Sequence, residues 1–370
     1  MSNNLTRLTT FEAILFMIIL TTNTLILNMP QKILSLCGSS SVLNVIYISI
    51  IAIIFTILIC KLFSKFVDSD IVDVSEYVGG KVLKTIIGLF IVIYLITVTG
   101  SSLRDFCEIL YITYYGKTHI FYIIVFFILT SAIANYLGEP AIIKTNVIVT
   151  IIILISLGVI YFSAIPNLVI QRFFPVLGFG AYSTFFSGLS NLTAFNSLFA
   201  IYIIIPMLSE KKNFKKISII SITIISILLI ASIICLLLSI SVSTNIDNIS
   251  PIYTLISNNY YSDSIQHPEP LFVFSWILSI ISYINICLML AIRFLKKVTN
   301  LTSKTTFIIP VCIMILIISL IPKNLLVTHN LENFIYNYIF LPMVFIIFPL
   351  ILIIGNLKLK KKTNNNYERT

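Results

Sequence analysis

Apolar residues run in long blocks along this chain, separated by short polar stretches. Ten blocks can be marked, at roughly 11–36, 41–60, 85–112, 118–137, 142–165, 181–208, 217–243, 269–292, 305–322 and 333–356. Each is close to or above the ~20 residues that a helix needs to cross a bilayer core. The pattern predicts an all-α integral membrane protein of ten transmembrane helices. Thr9 and Glu12 stand three apart at the start of the first block. That spacing predicts a capping box, with the Thr9 hydroxyl on the N3 amide and the Glu12 carboxylate on the N-cap amide. The first block is too long for the apolar region of a cleaved signal and lacks a small-residue cleavage site, so it reads as a retained span.

Ten spans divide into two sets of five, roughly 8–165 and 176–357, whose first helices run in opposite directions. This is the arithmetic of a 5+5 inverted repeat, in which the first helix of each half is broken near the midplane. Interruptions occur where such breaks belong. Span 1 carries Thr21-Thr22-Asn23-Thr24 and then Asn28-Met29-Pro30, and span 6 carries the polar run from Ser187 to Ser197. Matching breaks point to a small-molecule site built from Thr22, Asn23, Thr24, Ser190, Asn191, Thr193 and Asn196. The competing reading makes the same side chains bridges between neighbouring helices.

Charge sets the orientation. With the N-terminus inside, nineteen of the 24 lysines and arginines fall in inner segments, among them Lys211–Lys216 and Lys297. Only Lys32, Lys117, Arg172 and Lys323 fall outside, and Arg104 lies within the third span. That asymmetry is the positive-inside pattern and places both termini in the cytoplasm. The net charge of +10 is thus spent beside spans and gives no reason to invoke nucleic acid; membrane lipids are its partners. A composition 58% hydrophobic and 10% charged excludes a soluble domain. The inner segment 61–84 predicts a short interfacial helix, and the basic, Asn-rich stretch 358–370 a disordered cytoplasmic tail.

Candidate chemistry is sparse. The six cysteines lie in six different spans and read as buried thiols, although Cys37 and Cys107 both fall toward the outer face, where a disulfide stays open. His119, His267 and His329 fall outside with no ligand spacing and read as surface residues, so neither metal nor cofactor is expected. No nucleophile–base pair or phosphate loop stands in the chain, and an enzyme is not expected. No ionisable residue falls near the middle of any span. This argues against proton coupling, leaves Na⁺ coupling open, and leaves helix dipoles and hydroxyls to recognise a ligand. Arg104 and Glu108 are spaced to pair along one helix.

Several motifs, in order along nearly the whole chain, resemble a known family. They are Leu103-Arg104-Asp105-Phe106-Cys107-Glu108, Gly138-Glu139 with Lys144, Phe174-Pro175-Val176-Leu177-Gly178, Pro206 before the Lys211–Lys216 cluster, and Glu269-Pro270-Leu271-Phe272 leading to Trp276. The chain resembles the B subunit of the nutrient germinant receptors of endospore-forming bacteria, a branch of the amino acid–polyamine–organocation superfamily. It departs from the family pattern at Asn23, at Asn44-Val45-Ile46, at Asn196-Ser197 and at His267, so it resembles a divergent member. The resemblance implies a leucine-transporter-like fold with broken helices 1 and 6, in the spore inner membrane. It implies a small nutrient ligand, an amino acid above all, structural or gating roles for Arg104, Glu108 and Glu269, and partnership with an A-type subunit and a C-type lipoprotein. The alternative is an amino-acid permease of the same fold, Na⁺-coupled or facilitative.

Overall fold

The computed structural model describes the chain except residues 1–6, 27–28, 117, 248–250, 258–268, 302, 304 and 368–370. For residues 26, 245–247, 251, 257, 269, 271 and 362–367 it describes the backbone alone. Among the described residues all regular structure is helical, apart from one parallel bridge between Leu8 and Leu208. In order, the helices are α1 (Thr10–Ile26), α2 (Met29–Cys37), α3 (Ser41–Phe63), α4 (Ile71–Thr113), α5 (Ile120–Leu137), α6 (Glu139–Ala164), α7 (Ala181–Phe185) and α8 (Ser197–Ile201). They continue as α9 (Phe214–Ser239), α10 (Val242–Asp247), α11 (Pro251–Ser257), α12 (Glu269–Thr299), α13 (Thr305–Leu320), α14 (Leu325–Phe334) and α15 (Phe348–Tyr367). Seven helical segments are long and apolar enough to cross a membrane, and Thr10–Leu25 and Thr305–Leu320 are shorter apolar helices. The protein is a multi-pass, all-helical membrane protein.

Local chemistry sets the helix ends. Thr9 and Glu12 form the expected box: the Glu12 amide donates to Thr9 Oγ1 at 3.3 Å and the Thr9 amide to Glu12 Oε2 at 2.8 Å. A second box starts α4, where Asp70 accepts from the Val72 and Asp73 amides and Asp73 accepts from the Asp70 amide. α4 then bends at Gly79 and Gly80, and the φ of 69° at Gly80 is one that glycine alone adopts without strain. The bend separates 71–78 as a short helix within the inner segment. Pro140 opens α6, where its missing N–H costs nothing.

The interior is apolar, with α12 as its axis. α12 packs on α4 above all, and on α6, α1, α5 and α13, while α3 packs along α9. Trp276 of α12 meets Phe106 of α4 edge-on at 4.8 Å. Hydroxyls in this dry interior turn back on their own helices: Thr22 bonds the Ile18 carbonyl, Thr56 that of Ala52 and Thr99 that of Leu95. Backbone and hydroxyl groups inside a bilayer must be satisfied in this way.

Of the two interrupted spans the sixth is broken. Thr21–Thr24, where an interruption was expected, lies inside α1, and α1 and α2 flank residues 27–28, which are outside the described residues. The sixth apolar block is α7, a 3₁₀ stretch Ser187–Ala194, and α8, with Phe195 and Asn196 outside both. The last apolar block differs from expectation. Its helix begins at Leu325, eight residues before the apolar run, and passes through π-helical turns at Ile335–Phe340 and Met343–Ile347 into α15. α15 continues to Tyr367 through residues expected to form a disordered tail. Lysine is a good helix former, and Lys358 donates to the Val78 carbonyl, which extends the helix past the apolar run.

The basic segments share one end of the bundle. Lys211 pairs with Asp68, and Lys297 pairs with Asp70 at 2.5 Å and Asp73 at 2.6 Å. Lys297, which the sequence placed in an inner segment, thus joins the end of α12 to the start of α4. Nearby, the Leu8 amide donates to the Met207 carbonyl, the Ser209 amide to the Leu8 carbonyl and the Ile71 amide to the Tyr202 carbonyl. The Tyr202 hydroxyl donates to the Val344 carbonyl at 2.7 Å, and its ring packs on Phe63 and Phe348. Backbone pairing and buried aromatics thus close this basic end.

Candidate functional site

The polar end of α1 meets the break of the sixth span. The Ser197 amide donates to Thr21 Oγ1 at 3.1 Å, and Asn196 Nδ2 donates to Thr24 Oγ1 at 3.3 Å. Asn196 also donates to the Tyr336 hydroxyl at 3.4 Å, which brings in the first π-helical turn. Asn191 Nδ2 donates to Asn44 Oδ1 at 2.9 Å, and Asn44 Nδ2 to the Thr184 carbonyl at 2.7 Å. Asn44 thereby fixes the 3₁₀ stretch against α3. Gly188 is required there, because a Cβ would lie 2.1 Å from Asn44 Nδ2.

The expected site residues do not all behave alike. Thr22 is turned to its own helix, and Ser190 donates to the Ser187 carbonyl. Thr24, Asn191 and Asn196 bridge elements, as helix-bridging side chains would. Bridging does not absorb every polar atom. Asn23 is wholly buried, and neither its Oδ1 nor its Nδ2 has a hydrogen-bond partner. Asn196 Oδ1 and Ser197 Oγ are likewise buried and unpartnered. Leaving such a group unpaired costs about 1–3 kcal/mol, which marks the place where an incoming polar molecule gains most.

A cavity of about 280 Å³ adjoins this region at the end of the bundle opposite the lysines. Met29, Lys32, His329, Glu332 and Tyr336 help to line it, so it runs between α2 and α14. Lys32 Nζ donates to Thr193 Oγ1 at 3.3 Å, and Tyr336 is the residue to which Asn196 donates. The cavity therefore shares Tyr336 with this junction. Its volume sits just below the range of ~300–1,000 Å³ typical of small-molecule pockets.

Charge is present here, against the expectation that dipoles and hydroxyls alone are available. Glu332 is only 5% exposed, and Ser102 in α4 donates to its Oε1 at 3.3 Å. Behind it Asp105, wholly buried, meets His329 Nε2 at 3.0 Å, so His329 is no simple surface residue. Arg104 and Glu108 pair at 2.6 Å as their spacing predicts. Glu269 starts α12, but its side chain lies outside the described residues. Sequence reasoning missed Glu332, Tyr336 and Asn44. Thr328, Glu332, Tyr336 and Phe340 are all buried and stand four apart, a helical stripe that begins before the apolar run. All six cysteines are buried and free, so Cys37 and Cys107 form no disulfide.

A broken helix packed against a neighbouring span beside a charged cavity is an arrangement used by membrane transporters and receptors. Among solved structures the chain is similar to a Na⁺-coupled sialic acid symporter in a substrate-bound, outward-open state, with a TM-score of 0.58 and 14% identity. The match covers 92% of this chain and 79% of that one, and identifies a transporter fold of the leucine-transporter type. Residues 7–325 match the spore germination protein family of spore permeases, and the chain belongs to that family. No curated protein matches the chain.

Proposed function

We propose that this protein is the membrane subunit of a spore germinant receptor, and that it binds a small zwitterionic nutrient, an amino acid above all, where the polar end of α1 meets the broken sixth span. The observation that carries the reading is the buried, unpartnered Asn23 within one turn of the Thr21–Ser197 and Thr24–Asn196 bonds. Lys32 and Glu332 on the adjoining cavity offer opposite charges to the two ends of a zwitterion. In this reading the chain has ten spans in a 5+5 inverted repeat, roughly 8–165 and 176–357. The basic end faces the spore core with both termini, and the cavity faces out across the spore inner membrane. An A-type subunit and a C-type lipoprotein carry the signal onward. The family match and the symporter-like fold support the framework.

The test is germination of spores carrying single variants against a panel of the common amino acids. Asn23→Leu, Asn196→Leu and Glu332→Gln should each raise the half-maximal concentration about tenfold or more at unchanged abundance, the loss of one bond to a charged ligand group. Lys216→Gln, exposed at the basic end, should not. Wild-type responses from all three site variants at normal abundance would show that the polar residues only join helices. A permease reading rests on the same fold, and amino-acid uptake into liposomes by the purified chain alone would favour it.

A further inference from the structure

The basic end holds a second cavity, of about 380 Å³, between the end of α3 and the start of α9. Lys61, Lys211, Lys212 and Lys215 line it together with Ser64. Lys211 is paired with Asp68, while the side chains of Lys61, Lys212 and Lys215 are exposed. The remaining wall is apolar, from Ile57 and Val67 to the buried Phe63 and Phe214. One and two turns before Lys61, α3 presents Ile54, Ile57 and Leu58 at the protein surface, 41–60% exposed. In a membrane protein, exposed aliphatic side chains on a spanning helix face acyl chains. The cavity therefore opens where the acyl-facing surface of α3 gives way to a cluster of ammonium groups.

We propose that this cavity binds the phosphate headgroup of an anionic phospholipid of the leaflet on the basic side, its acyl chains lying along Ile54, Ile57 and Leu58. The lysines supply charge, and the apolar wall seats the glycerol. A free phosphate satisfies the lysines alone and leaves the apolar surface without an occupant, which selects the lipid. Basic pockets between spanning helices on this side of a membrane recognise such headgroups. The site has a structural consequence. Ile205 also lines it, and the adjoining backbone at 207 and 209 pairs with Leu8. A bound headgroup therefore ties α3 to the connection between the broken sixth span and α9, at the end that Leu8 closes.

The experiment is binding of phosphatidylglycerol to the purified full-length chain in neutral detergent, read by native mass spectrometry, with phosphatidylcholine and inorganic phosphate as competitors. Phosphatidylglycerol should be retained in preference to phosphatidylcholine, and inorganic phosphate should displace it poorly. Each lysine near an anionic headgroup contributes roughly fivefold, so a variant with Lys61→Gln, Lys212→Gln and Lys215→Gln should bind about 100-fold more weakly. Lys212→Gln alone should lose about fivefold and serves if the triple variant does not fold. Lys81→Gln with Lys144→Gln, at lysines that do not line the cavity, should retain the lipid. Undiminished retention by the Lys212 and triple variants would overturn the proposal, as would displacement by inorganic phosphate at concentrations equal to those of the lipid.

Discussion

Lys297→Met removes an ammonium that serves two carboxylates, and its effect can be worked from the geometry. Lys297 lies 2.5 Å from Asp70 and 2.6 Å from Asp73. The Asp70 side chain is 4% exposed and that of Lys297 24%. Removing one partner of a fully buried pair costs about 3–5 kcal/mol, because it strands the other charge. Two features reduce that here. Asp70 keeps its bonds from the Val72 and Asp73 amides, and water reaches the lysine side of the pair. A cost of about 2 kcal/mol follows, or a few degrees in thermal unfolding for a chain of this size.

The same pair fixes a pH dependence. Burial raises the Asp70 carboxyl above the usual carboxylate range, the charge of Lys297 lowers it, and that of Asp73 raises it again. A carboxyl whose folded value is raised stabilises the fold when protonated, below its unfolded value, and loses that contribution as pH rises through the folded value. Without Lys297 the folded value climbs further. The deficit of Lys297→Met should therefore be largest near pH 7.5 and shrink on acidification toward pH 5. With Asp70→Asn added, the residual deficit should change little between these values. Thermal unfolding in detergent at both pH values is the measurement. An equal deficit for Lys297→Met at both would refute the assignment of the cost to a stranded Asp70.

Two further outcomes follow from the packing. Gly188→Ala should destabilise by about 1–3 kcal/mol through the clash with Asn44 Nδ2, and combining it with Asn44→Ala should cost less than the sum of the two single changes, as thermal unfolding of the three variants would show. Leu8→Ala should cost about 2–4 kcal/mol, because Leu8 is fully buried against the segment whose backbone it pairs with, and the same assay reads it.

The path of the chain was legible because a bilayer leaves a helix few alternatives. Apolar runs gave the helices, and the Thr9–Glu12 spacing gave the first helix start. The break in the sixth block showed as the polar run Ser187–Ser197, whereas the equally polar Thr21–Thr24 stays helical within α1. What stayed hidden depends on pairing between distant segments. Asn44 looks like an ordinary polar residue near a span start, and its value lies in reaching Asn191 and Thr184, 147 and 140 residues away. Glu332 was assigned to a loop because hydropathy weighs residues by composition and not by face. Lys297 counted only toward the charge asymmetry for a related reason: a loop lysine and the partner of a buried carboxylate look alike until α4 and α12 are brought together.

The distribution of paired and unpaired groups separates the two ends of the molecule in energetic terms. At the basic end, Leu8, Ile71 and Tyr202 close backbone or hydroxyl bonds onto neighbouring segments, and Asp70 has amide and ammonium partners. At the opposite end, Asn23, Asn196 and Ser197 retain unpaired atoms near a cavity that carries Lys32 and Glu332. A ligand signals only by binding one arrangement better than another. In the proposed reading it gains by pairing those atoms and by drawing α2 and α14 toward its two charges. It cannot gain at the basic end, where the pairing is already made. In that reading the change reaches the basic end through bonds such as Leu8–Met207 and Tyr202–Val344, on the connection leaving the broken sixth span. The stability of this closed end sets how much differential affinity a nutrient has to supply in the proposed reading, so Leu8→Ala, which removes buried packing beside these bonds without touching the cavity, should lower the nutrient concentration for half-maximal germination while Asn196→Leu raises it.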